Sequence, residues 1–271
     1  MALVNKIIPF SCIDGPGNRT AIFFQGCNLK CTYCHNPETI NKCINCGKCI
    51  LTCPVEALKI ENKKVVWNKD VCVQCDTCIK VCENLSTPKT IEYSVDELFE
   101  EIKKIRPFIQ GITVSGGECT LNADFLVELF KKVKKELNIT CFVDTNGTLD
   151  LSEREDLVSI TDKFMLDVKC MDNDEHVKIT GKENEIVIKN LHYLLEKDKL
   201  HEVRTVVAPN LNNEYTITEV AKIIDGKCKY KLNAYRKYGV RKEGLDLHGE
   251  VGPNEEEMKI FYNYTDISNC I

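Results

Sequence analysis

The chain has 271 residues and a formal net charge of −5, with 43% hydrophobic and 28% charged residues. This fits one large globular domain, or one domain with a small insert, and offers no basic stripe for nucleic acid. No apolar run approaches the roughly 18 residues that span a bilayer, and the first ten residues lack the length and cleavage site of a signal peptide, so no membrane role and a cytoplasmic location are expected. In chain order, a buried strand is predicted over 20–25 (TAIFFQ), a helix over 95–105 and a short strand over 111–114. A periodic helix follows over 123–136, with Phe125, Leu126, Leu129, Phe130 and Val133 on one face. Strands over 140–143, 164–168, 202–207 and 230–234 alternate with helical stretches over 152–160, 186–195 and 219–224. A last helix is predicted over 254–264, with Asn254 as N-cap after Pro253.

Repeated strand–helix units imply a parallel sheet. About six strands fall short of the eight that close a barrel. The expected fold is therefore α/β, an incomplete (β/α)6 TIM-like barrel, with an open doubly wound sheet as the second choice. In both, chemistry gathers where strands end. Residues 41–89 break the alternation and are dense in cysteine. They are expected to form an inserted α+β ferredoxin-like domain, leaving 1–40 and 90–271 to the barrel.

Eleven of the 17 cysteines lie between Cys27 and Cys82. In a chain of this length with no export signal, metal binding or catalysis is the better reading than disulfides. Cys27, Cys31 and Cys34 have Cys-x3-Cys-x2-Cys spacing directly after the first predicted strand, which suits an iron–sulfur cluster. A four-iron cluster held by three thiolates keeps one iron open, as a catalytic metal requires. The alternative is a structural zinc or cluster site completed by His35 or Cys12.

A second pattern is stronger. Cys43-x2-Cys46-x2-Cys49-x3-Cys53-Pro54 is followed by Cys72-x2-Cys75-x2-Cys78-x3-Cys82. This doubled run is that of two-cluster ferredoxins, in which the fourth cysteine of each run serves the other cluster. It predicts one [4Fe–4S] cluster on Cys43, Cys46, Cys49 and Cys82, and another on Cys53, Cys72, Cys75 and Cys78. Glu83 stands where a second proline would be, and two zinc sites are the alternative. Electron delivery to the first cluster is the expected role. Cys12, Cys119, Cys141, Cys170, Cys228 and Cys270 read mostly as small packing residues, with Cys12 and Cys119 adjoining site motifs.

Three motifs follow predicted strands. They are Ser115-Gly116-Gly117-Glu118, Asp144-Thr145-Asn146-Gly147 and Asp167-Val168-Lys169. Alone they would be two turns and a salt bridge. Together with Cys27, Cys31, Cys34 and the aromatic Tyr33 before the third cysteine, they resemble the radical SAM superfamily. That resemblance implies a [4Fe–4S] cluster whose open iron takes the amino and carboxylate groups of S-adenosylmethionine (SAM). Reductive cleavage then yields methionine and a 5′-deoxyadenosyl radical, while the protein positions and shields the cofactor. It also implies that the Gly-Gly-Glu turn binds the SAM amino group.

The remaining motifs narrow the resemblance. Asp14-Gly15-Pro16-Gly17-Asn18-Arg19, the Asp144–Gly147 turn, Asp167-Val168-Lys169, His176-x3-Thr180-Gly181 and Arg204-x4-Pro209 resemble elements of glycyl-radical-enzyme activating enzymes, in the same order. Asn210 replaces the glycine usual after that proline. The runs Ile8-Pro9-Phe10-Ser11-Cys12 and Gln74-Cys75-Asp76-Thr77-Cys78 look closest to the YjjW-type subgroup, which carries a ferredoxin insert. Arg236 stands where many activases have a histidine near the adenine.

The resemblance implies catalytic Cys27, Cys31, Cys34 and Lys169. The expected cofactor contacts are Tyr33, His35, Ser115, Gly116, Gly117, Glu118, Asp144, Asn146, Asp167, Val168, Lys169, Arg204 and Arg236. Acidic strand ends are a candidate site for a monovalent cation. The implied partners are a glycyl-radical enzyme and a flavodoxin- or ferredoxin-type reductant. The rival readings are radical chemistry on a small molecule or RNA, and a non-catalytic electron carrier.

Overall fold

The computed structural model describes residues 1–265, so Cys270 lies outside the described residues. The chain begins with β1 (Ala2–Ser11) and β2 (Arg19–Phe24). A hairpin, β3 (Leu58–Glu61) and β4 (Lys64–Trp67), and the short helix α1 (Thr77–Lys80) follow. Then come β5 (Ile91–Tyr93), α2 (Val95–Ile105), β6 (Gly111–Gly116), α3 (Ala123–Leu137), β7 (Thr140–Thr145), α4 (Glu155–Ile160) and β8 (Lys163–Asp167). The remainder is α5 (Asn173–Thr180), α6 (Glu185–Glu196), β9 (Leu200–Val207), α7 (Asn213–Ile224), β10 (Lys229–Ala234), α8 (Lys242–His248) and α9 (Glu255–Asn263).

The main sheet has eight strands in the order β10-β9-β8-β7-β6-β2-β1-β5. From β2 to β10 each of its neighbours pairs in parallel. These are the six strands the sequence predicts, and they do not close, since β10 and β5 are the two ends of the order. The sequence misses β1, which pairs antiparallel with both β2 and β5. Its signal is broken by Pro9, which lies where the β1–β2 register shifts between Ile8 and Ser11. A proline inside a strand is tolerated at such an irregularity.

Local chemistry sets the helix ends. Ser94 and Glu97 form a capping box at α2, and Asn254 and Glu257 do the same at α9, as the Asn254 N-cap predicts. The period-two alternation of each strand then sorts side chains to two faces. Ile22, Val114, Val143, Leu166, Val203 and Leu232 join the apolar core under the helices. The inner face is polar. Arg19 bonds Thr113 and lies over Phe142, while Ser115, Asp144, Met165, Glu202 and Arg204 form one connected group. The helices thus bury one face of the sheet and leave a polar concave face for a polar ligand.

Residues 41–89 contain little regular structure beyond the β3–β4 hairpin and α1. A small cluster of buried Cys49, Leu58 and Cys78 holds them, with Cys53 and Trp67 packed against it. A reciprocal latch roots the segment. Asn41 Nδ2 donates to the Asn84 carbonyl at 2.9 Å, and Asn84 Nδ2 donates to that of Lys42 at 2.9 Å.

Candidate active site

At the C-terminal ends of the parallel strands lies a cavity of about 220 Å³. Its wall brings together Cys27, Tyr33, Ser115, Glu118, Asp144 and Lys169 from four different strand ends. Cys31, Cys34, His35, Gly116, Gly117, Asn146 and Asp167 also line it. Residues spread over 140 positions of sequence therefore meet because each follows a parallel strand.

The cysteine loop is fixed by backbone and side chains alone. The Lys30 and Thr32 N–H groups donate to the carbonyls of Thr180 and Ile179 at 2.9 and 2.8 Å. This explains the His176-x3-Thr180-Gly181 motif. It closes α5, with Gly181 at φ 81° as the left-handed cap. His176 is buried and donates through Nδ1 to the Lys182 carbonyl at 2.7 Å. On the other side, Arg241 donates to the Lys30 carbonyl at 2.8 Å, and His248 bridges Thr32 Oγ1 and the Pro209 carbonyl, each at 2.8 Å. A Cβ at Gly244 would sit 1.8 Å from the Thr32 carbonyl, and one at Gly239 would sit 2.0 Å from that of His35. Sequence reasoning misses this C-terminal clamp. Gly244 lowers the helical signal of α8, and only the packing shows why a glycine is there.

The glycine turn after β6 is equally constrained. Gly116 has φ +121°, and a Cβ there would lie 2.3 Å from the Phe24 backbone. A Cβ on Gly117 would lie 2.3 Å from the Gly26 carbonyl. Glu118 is 1% exposed, and its carboxylate accepts from Thr120 N and Oγ1, Thr145 Oγ1 and Asn146 N. It therefore ties the β6 turn to the β7 turn. Asn146 Nδ2 reaches Asn28 Oδ1 at 3.2 Å and Cys27 Sγ at 3.9 Å.

Charge is balanced inside the sheet. Burial pushes the Asp144 carboxyl up to about 6, opposed by Arg204 at 3.1 Å and by Ser115. Arg204 also meets Glu202 at 2.5 Å. Burial opposes the charge of Lys169, but the Asp167 carboxylate at 2.9 Å favours it and Lys169 stays protonated. The two carboxylates expected to hold a monovalent cation are thus engaged by Arg204 and Lys169. Burial also raises the free thiols, Cys27 to about 12 and Cys34 to about 11, with Cys31 raised in the same direction.

Three expected contacts, Val168, Arg204 and Arg236, are not on the cavity wall. Val168 turns into the apolar core, and its N–H donates to the Arg204 carbonyl at 2.9 Å. Arg236 is exposed, and only its carbonyl reaches the site, accepting from His35 Nε2 at 2.8 Å. Arg204 reaches the cavity through Asp144. Asn210 adopts φ +63°, a left-handed conformation that favours glycine and that asparagine tolerates. Arg19 stands at the opposite end of β2 from the cysteine loop and staples β6 to β7 through Thr113, Ile112 and Thr140.

The residues fit the group that their order suggests. Three thiols border one cavity beside a glycine cradle, and the buried Tyr33 hydroxyl has no protein partner. Among the described residues, no three His, Cys, Asp or Glu side chains converge to hold a single metal ion. Cys27, Cys31 and Cys34 instead stand around a cavity, as the ligands of a larger group would. Residues 21–221 match the Radical SAM superfamily.

The chain belongs to the radical SAM superfamily.

Within it, the chain is 32% identical to the trans-4-hydroxy-L-proline dehydratase activating enzyme of Clostridioides difficile, covering 98% of this chain and 97% of that one. It is 30% identical to a putative glycyl-radical enzyme activating enzyme of Haemophilus influenzae, covering 90% and 86%. It is 28% identical to the pyruvate formate-lyase-activating enzyme of Staphylococcus epidermidis, covering 99% and 96%. The solved structure of SuiB from Streptococcus suis shares the fold, with a TM-score of 0.59 at 13% identity over 91% of this chain and 47% of SuiB. The chain is accordingly a radical SAM enzyme among the activating enzymes of glycyl-radical enzymes. No helix among the described residues is long and apolar enough to cross a membrane.

Proposed function

We propose that this radical SAM enzyme installs the glycyl radical in a partner enzyme, with Cys27, Cys31 and Cys34 holding the cluster that binds SAM. The observation that carries this reading is the convergence of three thiols, the Gly116-Gly117 cradle and charged Lys169 on one cavity. When bound, cluster and SAM supply the 5′-deoxyadenosyl radical that takes hydrogen from a glycine α-carbon. The rest is the protein's work. The N–H groups of Gly117 and Glu118 already donate to Phe24 and Gly26, so the turn offers an amino group carbonyl oxygen rather than N–H. Lys169 is the cation for a carboxylate. Asn146 directs its amide at Cys27, and a donor to a ligating sulfur favours the reduced cluster. The loop pinned by α5 and α8 holds the thiols in place before iron arrives.

We also propose that residues 41–89 are the ferredoxin-like insert and bring the total to three [4Fe–4S] clusters. One ligand set is Cys43, Cys46, Cys49 and Cys82. The other is Cys53, Cys72, Cys75 and Cys78, and these four cysteines line a second cavity. That site joins a cysteine of the first run to three of the second, as the swapped pattern requires. A flavodoxin- or ferredoxin-type reductant would feed them.

Anaerobically loaded protein, incubated with SAM, dithionite and a glycyl-radical enzyme, should generate the glycyl EPR doublet. The dehydratase and lyase types named for the relatives are the first partners to try. Deoxyadenosine formed with no radical on any such partner would favour a small-molecule or RNA target. No deoxyadenosine at all would leave only an electron carrier.

A further inference from the structure

The insert holds two side chains that the SAM chemistry does not use. Lys89 lies at the end of the insert and is only 9% exposed. Its ammonium pairs with Asp76 and donates to Gln74 Oε1 at 3.2 Å. Trp67, on β4, packs with Cys49, Cys53 and Cys78, and its buried indole N–H has no protein acceptor. Both line the cavity of Cys53, Cys72, Cys75 and Cys78. A buried N–H without an acceptor is costly, and here it borders a space whose walls suit a group rich in sulfur acceptors.

The same lysine lies toward the SAM site. Lys89 shares the wall of that cavity with Cys72 and Cys78. The Asn41 N–H donates to the Leu85 carbonyl at 3.1 Å, and the Gly26 and Cys27 N–H groups donate to the carbonyls of Thr39 and Ile40 at 2.8 and 2.9 Å, so the roots of the insert join the cysteine loop directly. The segment between is short and fixed, since Gln25 Nε2 donates to the carbonyls of Glu38 and Asn41 at 2.7 and 2.6 Å.

We propose that Lys89 and Trp67 raise the reduction potential of the cluster held by Cys53, Cys72, Cys75 and Cys78, and that this cluster is the immediate electron donor to the SAM cluster. The inference rests on the reading of residues 41–89 as a two-cluster insert. Reduction adds a negative charge, which a buried ammonium and an N–H donor to sulfur both stabilise. Asp76 does not cancel the effect, because its side chain is 52% exposed and that of Lys89 only 11%. One electron moves per SAM cleaved. The external reductant is oxidised, the SAM cluster is reduced, and no atom changes place in the relay.

The test is an EPR-monitored redox titration of full-length, cluster-loaded protein, with the relevant signal assigned by its loss in Cys75→Ser. In Lys89→Met the reduced-to-oxidised ratio of that cluster, at fixed potential, should fall roughly tenfold, a shift of ~59 mV for a one-electron couple. Trp67→Phe should shift it in the same direction by less, and Lys89→Arg should restore it. The other insert cluster should stay put. Reduced flavodoxin should reduce the SAM cluster more slowly in Lys89→Met, while dithionite does so unchanged. Equal shifts in both insert clusters, no shift, or an unchanged flavodoxin rate would overturn the assignment. Wild-type protein carrying about four irons instead of about twelve would instead show that the underlying reading of the insert is wrong. Iron content equal to wild type in each variant guards against misfolding.

Discussion

Residues 27–34 and residues 43–82 are both rich in cysteine, but they are held by different means. The first loop is stretched between parallel strand ends, with the α5 carbonyls on one side and Arg241 and His248 on the other. It belongs to a domain with a large apolar core. The second region has a two-stranded hairpin, one turn of α-helix and four buried core residues, Cys49, Ala57, Leu58 and Cys78, two of them cysteines. So small a core cannot fold a segment of this size without staples. On the proposed reading, the first cysteine site is built by the protein before its metal, whereas the second would need metal to be built.

The sharpest way to break that contrast is to remove one ligand from each region. Cys31→Ala should abolish deoxyadenosine formation with any reductant. Cys75→Ala should retain it with dithionite and lose most of it with flavodoxin. Equal losses with dithionite would merge the two regions into one functional unit. Next in size is the effect of removing all iron. Hydrogen exchange of the apo-protein should show amide protection lost across 43–82 and kept in β6–β9. Protection kept in both regions would mean that the insert folds without its clusters.

A smaller effect tests the barrel side. Arg204→Met leaves Asp144 and Glu202 as buried carboxylates without their cation, and should cost about 3–5 kcal/mol in a denaturant melt. Iron binding by the insert should be untouched. The smallest effect is the dependence on pH. Cys27 and Cys34 have folded-state values of about 12 and 11, against an ordinary value of 9. The apo-protein should therefore be most stable below pH 9 and lose stability as pH rises toward 11–12, because only the unfolded thiols ionise early. Loaded protein, with its thiols already ionised, should lack this decline in thermal melts. A decline of the same size in loaded protein would refute the burial argument.

Much of the site was legible because its residues follow strands. A strand in a parallel sheet fixes where its last residue lies, so Ser115, Asp144 and Asp167 were placed by their position after apolar runs. The second cavity brings Cys53 of the first cysteine run beside Cys72, Cys75 and Cys78 of the second. What escaped were elements whose signal depends on neighbours. Pro9 hid β1, Gly244 hid α8, and α5 shows little apolar periodicity while its carbonyls hold the cysteine loop. Arg236 shows the opposite case: side-chain direction after a strand is set by the loop, and this loop turns Arg236 to solvent.

The sequence by itself determined the parallel α/β alternation, the cysteine spacings and the glycine turn, because each is a local pattern of periodicity or ligand geometry. Only the tertiary structure decided which charges neutralise each other inside the sheet and what clamps the cysteine loop. It alone placed a lysine and a tryptophan beside the second cavity. Those contacts join residues distant in the chain, and no local pattern encodes a distance through space.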